Sequence, residues 1–301
     1  MRITWIGLGN MGEPMAARLA AAGHDVTGFD LRADSRERAT ALGLSFADSA
    51  AAAAADAELV ITMLPNGGLV QKVLTDDGVL DAAAPEAIFL DSSTTDTEDA
   101  LALHRLVTGS GRVFFDAPVS GGVGGAQNGT LTFMVGGTEE QLAPVQEVLD
   151  VMAGKVFYLG EPSLGQAAKI VNNLMLGVNL AGLAEGAALA DRLGLDHSTF
   201  YELAKVSSGD SWALRNWYPI AGVVDTAAVN RDFVGGFAVD LLSKDLGLAL
   251  AAGETTSTAL PHVEAVRTTL ENLSRAGLGA RDCAIIVRAV DGSIDLQGEN
   301  D

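Results

Sequence analysis

Lys169 stands between Ala168 and Ile170 in an apolar run, and Asn173 follows four residues later. Four residues make about one helical turn, so the two side chains share a face. An amine in apolar surroundings needs a partner or a lowered pKa, and a lysine that loses its proton can act as a base. Asn172 and Asn173 are poor helix formers, so polar residues cluster where the helix gains least from them. The pattern points to a general acid/base with an orienting amide. The competing reading is a snorkelling lysine beside two interface amides. The chain uses 14 arginines and five lysines, which sets each lysine apart. Lys244, in Ser243-Lys244-Asp245, lies in the apolar run 238–250. It reads as a further candidate or as an ordinary charged helix face.

A second constellation follows the apolar run Val113–Phe115. In Asp116-Ala117-Pro118-Val119-Ser120-Gly121-Gly122, Ser120 offers a hydroxyl, and Gly121 and Gly122 offer backbone N–H groups. Such a nest holds a small carboxylate, and a plain glycine turn is the alternative. A third is Gly7-Leu8-Gly9-Asn10-Met11-Gly12, between an apolar run at Ile3–Ile6 and a helical pattern. In a dinucleotide site, Gly7 makes the tight turn, Gly9 admits the pyrophosphate, and Gly12 lets helix and strand pack closely. The helix N-terminus then faces the phosphates. Asp30, ending the next apolar run, would accept hydrogen bonds from a ribose diol and oppose a 2′-phosphate. NAD is therefore expected over NADP, with Arg32 and Arg36 near enough to weaken the preference.

Short apolar runs alternate with helical stretches through the first half. Strands are expected at 3–6, 26–29, 44–46, 59–64, 88–91, 113–118, 131–136 and 156–159. Helices are expected at 12–22, 34–42, 47–57, 67–74 and 96–107. This alternation predicts a doubly wound parallel sheet. After about residue 160 strand signals nearly vanish. A helix is expected over 165–193, about 40 Å long, opened by a capping box at Ser163 and Gln166. Helices follow at 197–206, 238–253, 260–276 and 281–290, with a long loop at 207–236. Residues 1–161 thus read as a dinucleotide-binding domain, 162–292 as a helical domain, and 293–301 as a disordered tail.

The chain has 301 residues and a net charge of −20. Acidic residues outnumber basic ones in both halves, which argues against nucleic acid or an anionic membrane as partner. Mean hydropathy is +0.26. The charge-free runs 117–138 and 170–184 are broken by glycines and asparagines or too short to span a bilayer. No leader pattern precedes Gly7. With one cysteine, Cys283, an internal disulfide is impossible, and a reduced cytoplasm is expected. The four histidines form no catalytic or metal-binding pattern.

Taken in order, these motifs resemble the β-hydroxyacid dehydrogenase family. They are Gly7–Gly12, Asp91-Ser92-Ser93-Thr94, Asp116–Gly122, Gly165-Gln166-Ala167-Ala168-Lys169 with Asn172-Asn173, and Lys244-Asp245-Leu246-Gly247. The resemblance covers the chain to about residue 290. It implies an α/β fold: an N-terminal Rossmann domain, then an all-helical C-terminal domain, joined by a long helix. It implies Lys169 as general acid/base, with Asn173 orienting substrate or lysine. Ser120, Gly121 and Gly122 would hold the substrate carboxylate. Gly7, Leu8, Gly9, Asn10, Met11, Gly12, Asp30, Leu64, Pro65, Leu69, Thr94 and Lys244 would contact NAD. Trp212 and Phe237 would shape the substrate pocket, in a cleft between the domains. The stretches Ser207–Trp212, Asn216–Pro219 and Gly235–Phe237 are most similar to the branch that oxidises 3-hydroxyisobutyrate to methylmalonate semialdehyde in valine catabolism. Asn172 stands where the phosphogluconate branch has a histidine. Sibling activities on tartronate semialdehyde, serine or 3-hydroxypropionate remain alternatives, as does a non-catalytic NAD sensor. A homodimer or homotetramer is expected, and no metal.

Overall fold

The computed structural model describes residues 1–294. The tail expected over 293–301 lies outside the described residues from 295 onward.

Six strands form the first sheet: β1 (Arg2–Ile6), β2 (Asp25–Phe29), β3 (Ser45–Phe46), β4 (Leu59–Thr62), β5 (Ile88–Asp91) and β6 (Val113–Asp116). Their order is β3-β2-β1-β4-β5-β6, and every pair is parallel. Ile3, Trp5 and Ile6 of β1 and all of β4 are buried, as a sheet covered by helices on both faces requires. The strand order reverses between β1 and β4, so the carboxyl ends there flank a crevice where ligands of such folds bind. The glycine motif, Asp30, Leu64, Pro65 and Thr94 all follow the carboxyl ends of these strands.

The runs expected at 131–136 and 156–159 do not extend that sheet. They form a second one with β7 (Val119–Ser120), β8 (Leu131–Val135) and β9 (Ala153–Tyr158), in order β7-β8-β9. β7 runs antiparallel to β8, and β8 parallel to β9. The reason is local: the chain turns at Ala117-Pro118, and Pro118 has no N–H for a continuing ladder. Its carbonyl instead accepts from Met134 N at 3.0 Å. The helix Gly122–Asn128 was not expected, because glycine is a poor helix former. Burial of Gly125 and Ala126 overrides that preference.

Packing divides the chain into two units, Met1–Lys169 and a second beginning at Ile170. The division falls inside the long helix Leu164–Arg192. The second unit is helical. Its core includes Leu242, Leu246 and Ala249 of the helix Val239–Thr256, with Val266 and Leu270 of Pro261–Leu273. The loop expected at 207–236 holds a short helix, Trp212–Trp217, capped by the Ser211 hydroxyl accepting from Leu214 N at 3.1 Å. By length and composition alone Leu164–Arg192 is long and apolar enough to cross a membrane, a test that the core helix of a soluble protein also passes.

Candidate active site

Gly7 has φ +98°, and a Cβ there would collide with the Met63 carbonyl; one at Gly12 would collide with the Gly7 carbonyl. Turn geometry and helix–strand contact therefore both exclude a side chain. Gly9 has open space where its Cβ would be. The helix Gly12–Ala21 has no side-chain cap, so its positive end is available to an anion. Trp5, fully buried, buttresses the turn by donating from Nε1 to the Gly7 carbonyl at 3.1 Å. Leu8 is buried, Asn10 is exposed, and Met11 packs against the core. An uncapped helix behind an open glycine fits the pyrophosphate of a dinucleotide.

Asp30 closes one side of this turn. Its Oδ2 accepts from Leu8 N at 2.8 Å, and its Oδ1 accepts from Arg32 N at 2.8 Å and Arg32 Nε at 3.1 Å. Arg32 also donates to the Leu8 carbonyl. Partial burial pushes the Asp30 carboxyl up, but the hydrogen bonds from Arg32 and Leu8 outweigh it and hold it below its ordinary value. Arg36 is drawn away to Asp48 and the Phe46 ring.

The loops after β4 and β5 are tied together. Leu64 N donates to Ser93 Oγ at 2.9 Å. Asn66 caps the helix Gly67–Thr75 through Oδ1, which accepts from Leu69 N at 2.9 Å and leaves the Leu69 side chain partly exposed. Asp91 Oδ1 accepts from Thr62 Oγ1 at 2.8 Å and Ser93 N at 3.1 Å. Burial raises the Asp91 carboxyl above its ordinary value, and neighbouring Asp116 adds to the rise. In these loops Pro65 is exposed and Thr94 half-buried.

The start of the long helix departs from the expected capping box. Ser163 has φ +71°, outside the extended region an N-cap residue uses. The helix is capped from β6 instead. Asp116 Oδ1 accepts from Ser163 N at 2.8 Å, and Oδ2 accepts from Gln166 N at 3.0 Å. The Gln166 amide turns to the β5 loop: Oε1 accepts from Thr95 N at 3.0 Å, and Nε2 donates to Ser93 O at 2.8 Å. Lys169 follows, 8% exposed. Ser120 pairs with Thr132 across β7 and β8, and Gly121 and Gly122 follow with φ +134° and +63°.

In the second unit, Asn173 is buried and donates from Nδ2 to Asp245 Oδ2 at 2.6 Å. Its Oδ1 accepts from Asn172 Nδ2 at 3.1 Å. Lys244 Nζ lies 3.1 Å from Asp245 Oδ1, a charge contact without the alignment of a hydrogen bond. Phe237 is pinned by its backbone: N donates to Asp282 Oδ2 at 3.0 Å, and O accepts from Cys283 N at 2.8 Å. Trp212 is half-exposed, its ring edge-on to Trp217. Asp245, Gln166 and Trp5 were not among the expected site residues. The one visible signal was a polar residue within an apolar helix, for Asp245 and Gln166.

A doubly wound parallel sheet with a dinucleotide turn, followed by a buried lysine and amide, defines a dinucleotide-dependent oxidoreductase. Residues 2–160 match the family described as the NAD binding domain of 6-phosphogluconate dehydrogenase. Residues 163–290 match the one described as NAD-binding of NADP-dependent 3-hydroxyisobutyrate dehydrogenase. The chain is 44% identical to 3-hydroxyisobutyrate dehydrogenase of Pseudomonas aeruginosa, over 86% of this chain and 87% of that one. It is 38% identical to NAD-dependent L-serine dehydrogenase of the same organism, over 96% and 98%. The solved structure of Mycobacterium tuberculosis 3-hydroxyisobutyrate dehydrogenase with L-serine superimposes with TM-score 0.88 at 41% identity, covering 96% and 98%. The chain belongs to the β-hydroxyacid dehydrogenase family. It is a dehydrogenase of short 3-hydroxy acids that uses a nicotinamide dinucleotide.

Proposed function

We propose that the enzyme oxidises 3-hydroxyisobutyrate to methylmalonate semialdehyde with NAD, as a step of valine catabolism. The observation that carries this reading is the buried Lys169 one helical turn before Asn173, whose amide Asp245 holds in one orientation. When bound, the nicotinamide supplies the hydride acceptor. Lys169, in its neutral form, takes the hydroxyl proton as the carbinol carbon becomes a carbonyl. Asn173 has its Nδ2 committed to Asp245, so its position is set before substrate arrives. Ser120, Gly121 and Gly122 bind the substrate carboxylate, and Trp212 and Phe237 wall the pocket. Gly7–Gly12, Leu64, Pro65, Leu69, Thr94 and Lys244 hold the dinucleotide, with Asp30 on the ribose diol. Residues 1–161 serve as the dinucleotide domain and 162–292 as the domain for substrate and for assembly into a homodimer or homotetramer.

L-serine is the second reading, favoured by the relative named for that activity. The two acids differ where one carries a methyl and the other an ammonium group. Initial rates with NAD and NADP against 3-hydroxyisobutyrate, L-serine, 3-hydroxypropionate and glycerate separate them. The reading expects the highest kcat/KM for 3-hydroxyisobutyrate with NAD; a preference for serine reassigns the substrate and keeps the chemistry. Lys169→Ala is expected to lose at least about 100-fold in kcat and still bind NAD. Full turnover in that variant removes Lys169 from the mechanism.

A further inference from the structure

Gln166 has no part in the chemistry above, yet it is fully buried and uses both ends of its amide. Ser93 O can only accept and Thr95 N can only donate, and the amide meets one with each end. These two backbone groups flank Thr94. Ser93 Oγ in turn accepts from Leu64 N, so the loops after β4 and β5 form one hydrogen-bonded body. On its own helix, Gln166 N donates to Asp116 Oδ2. Lys169 lies three residues on, at a neighbouring position of that helix. One buried side chain thus joins the loop bearing Thr94 to the helical turn bearing Lys169.

We propose that Gln166 is a positioning residue that sets Lys169 against the dinucleotide loop. The inference rests on Lys169 being the proton acceptor. Proton removal and transfer of the carbinol hydrogen must occur on one bound substrate, and a misplacement of about 1 Å between reacting groups can cost about 100-fold in rate. A carboxylate at position 166 would still accept from Thr95 N but would face the Ser93 carbonyl with an oxygen. A thioether would leave both backbone groups unpaired in the interior.

The test compares Gln166→Met, Gln166→Glu and Lys169→Ala in the full chain. It uses NAD and whichever panel acid turns over, unlabelled and deuterated at the carbinol carbon. Each Gln166 variant that folds is expected to lose about 10- to 100-fold in kcat. Its primary isotope effect on kcat should rise above that of the parent, because hydrogen transfer becomes the slow step. A residue that only stabilises the fold would lower Tm and leave the isotope effect unchanged. A folded variant with parental kcat and isotope effect overturns the proposal. So does failure of both variants to fold, which would assign Gln166 to folding alone. If Lys169→Ala keeps full turnover, the functional reading fails and the inference falls with it. If Lys169→Ala is inactive while Gln166→Met is unimpaired, only the inference fails.

Discussion

Asp30 and Arg32 show how one side chain changes the meaning of another. A bare carboxylate at the end of β2 opposes a 2′-phosphate, but here Arg32 donates to it from backbone and side chain. The guanidinium offsets part of the charge that would reject NADP. Arg32→Ala should free Asp30 for the ribose diol and raise the NAD over NADP ratio of kcat/KM. The pair is half-exposed on the arginine side, so the effect is that of a screened ion pair: about 1 kcal/mol, or about fivefold. Steady-state kinetics with both cofactors measure it, and a falling ratio would place Asp30 away from the ribose. Lys169 and Asp30 are legible in the sequence because their types are unusual for their neighbourhoods. Of Gln166 and Asp245 only the residue type is legible and not the role, because Thr95, Ser93 and Asn173, which their side chains hold, lie more than 70 positions away. The expected box at Ser163 and Gln166 failed for the same reason: Asp116, distant in sequence, reaches the helix start first.

Among the elements, the carboxyl ends of β5 and β6 stand out, where Asp91 and Asp116 are directly paired in register. Burial raises both carboxyls above their ordinary value, against the hydrogen bonds they accept. A carboxyl raised in the folded state holds its proton more tightly there than in the unfolded chain. Its favourable contribution is complete below the ordinary carboxylate pKa and is lost as pH rises through the raised value. Asp91→Asn removes that titration and can keep the oxygen that accepts from Thr62 and Ser93. The Tm of the variant minus that of the parent should therefore increase from pH 4 to pH 8, by a few degrees or more. Thermal melts across that range read it directly, and a flat difference would mean that folding does not raise the Asp91 carboxyl. Most strands were readable from apolar runs. The second sheet was not, since an apolar run does not say which neighbour it will pair with. The helix Gly122–Asn128 was hidden by its glycines.

For the whole molecule, the loss of strand signals after residue 160 made the two-part organisation visible in the sequence. The packing division inside the long helix was not visible, because the helical pattern runs unbroken across it. That helix exposes Val171, Met175 and Leu189, and Leu193 is exposed just past its end. Large apolar side chains gathered on one exposed helix mark a surface that something covers. A lipid bilayer would have to accommodate Glu185 and Asp191, also exposed on this helix, and intramembrane carboxylates are costly. A second copy of the chain can leave both at a polar rim. Light scattering is therefore expected to give two or four times the mass of the 301-residue chain. A pair of changes, Met175→Lys with Leu189→Glu, should shift that mass toward one chain at micromolar concentration while far-UV circular dichroism stays unchanged. A parent that scatters as a single chain at all concentrations would leave this face to a different partner. A paired variant that assembles like the parent would move the subunit contact elsewhere on the surface.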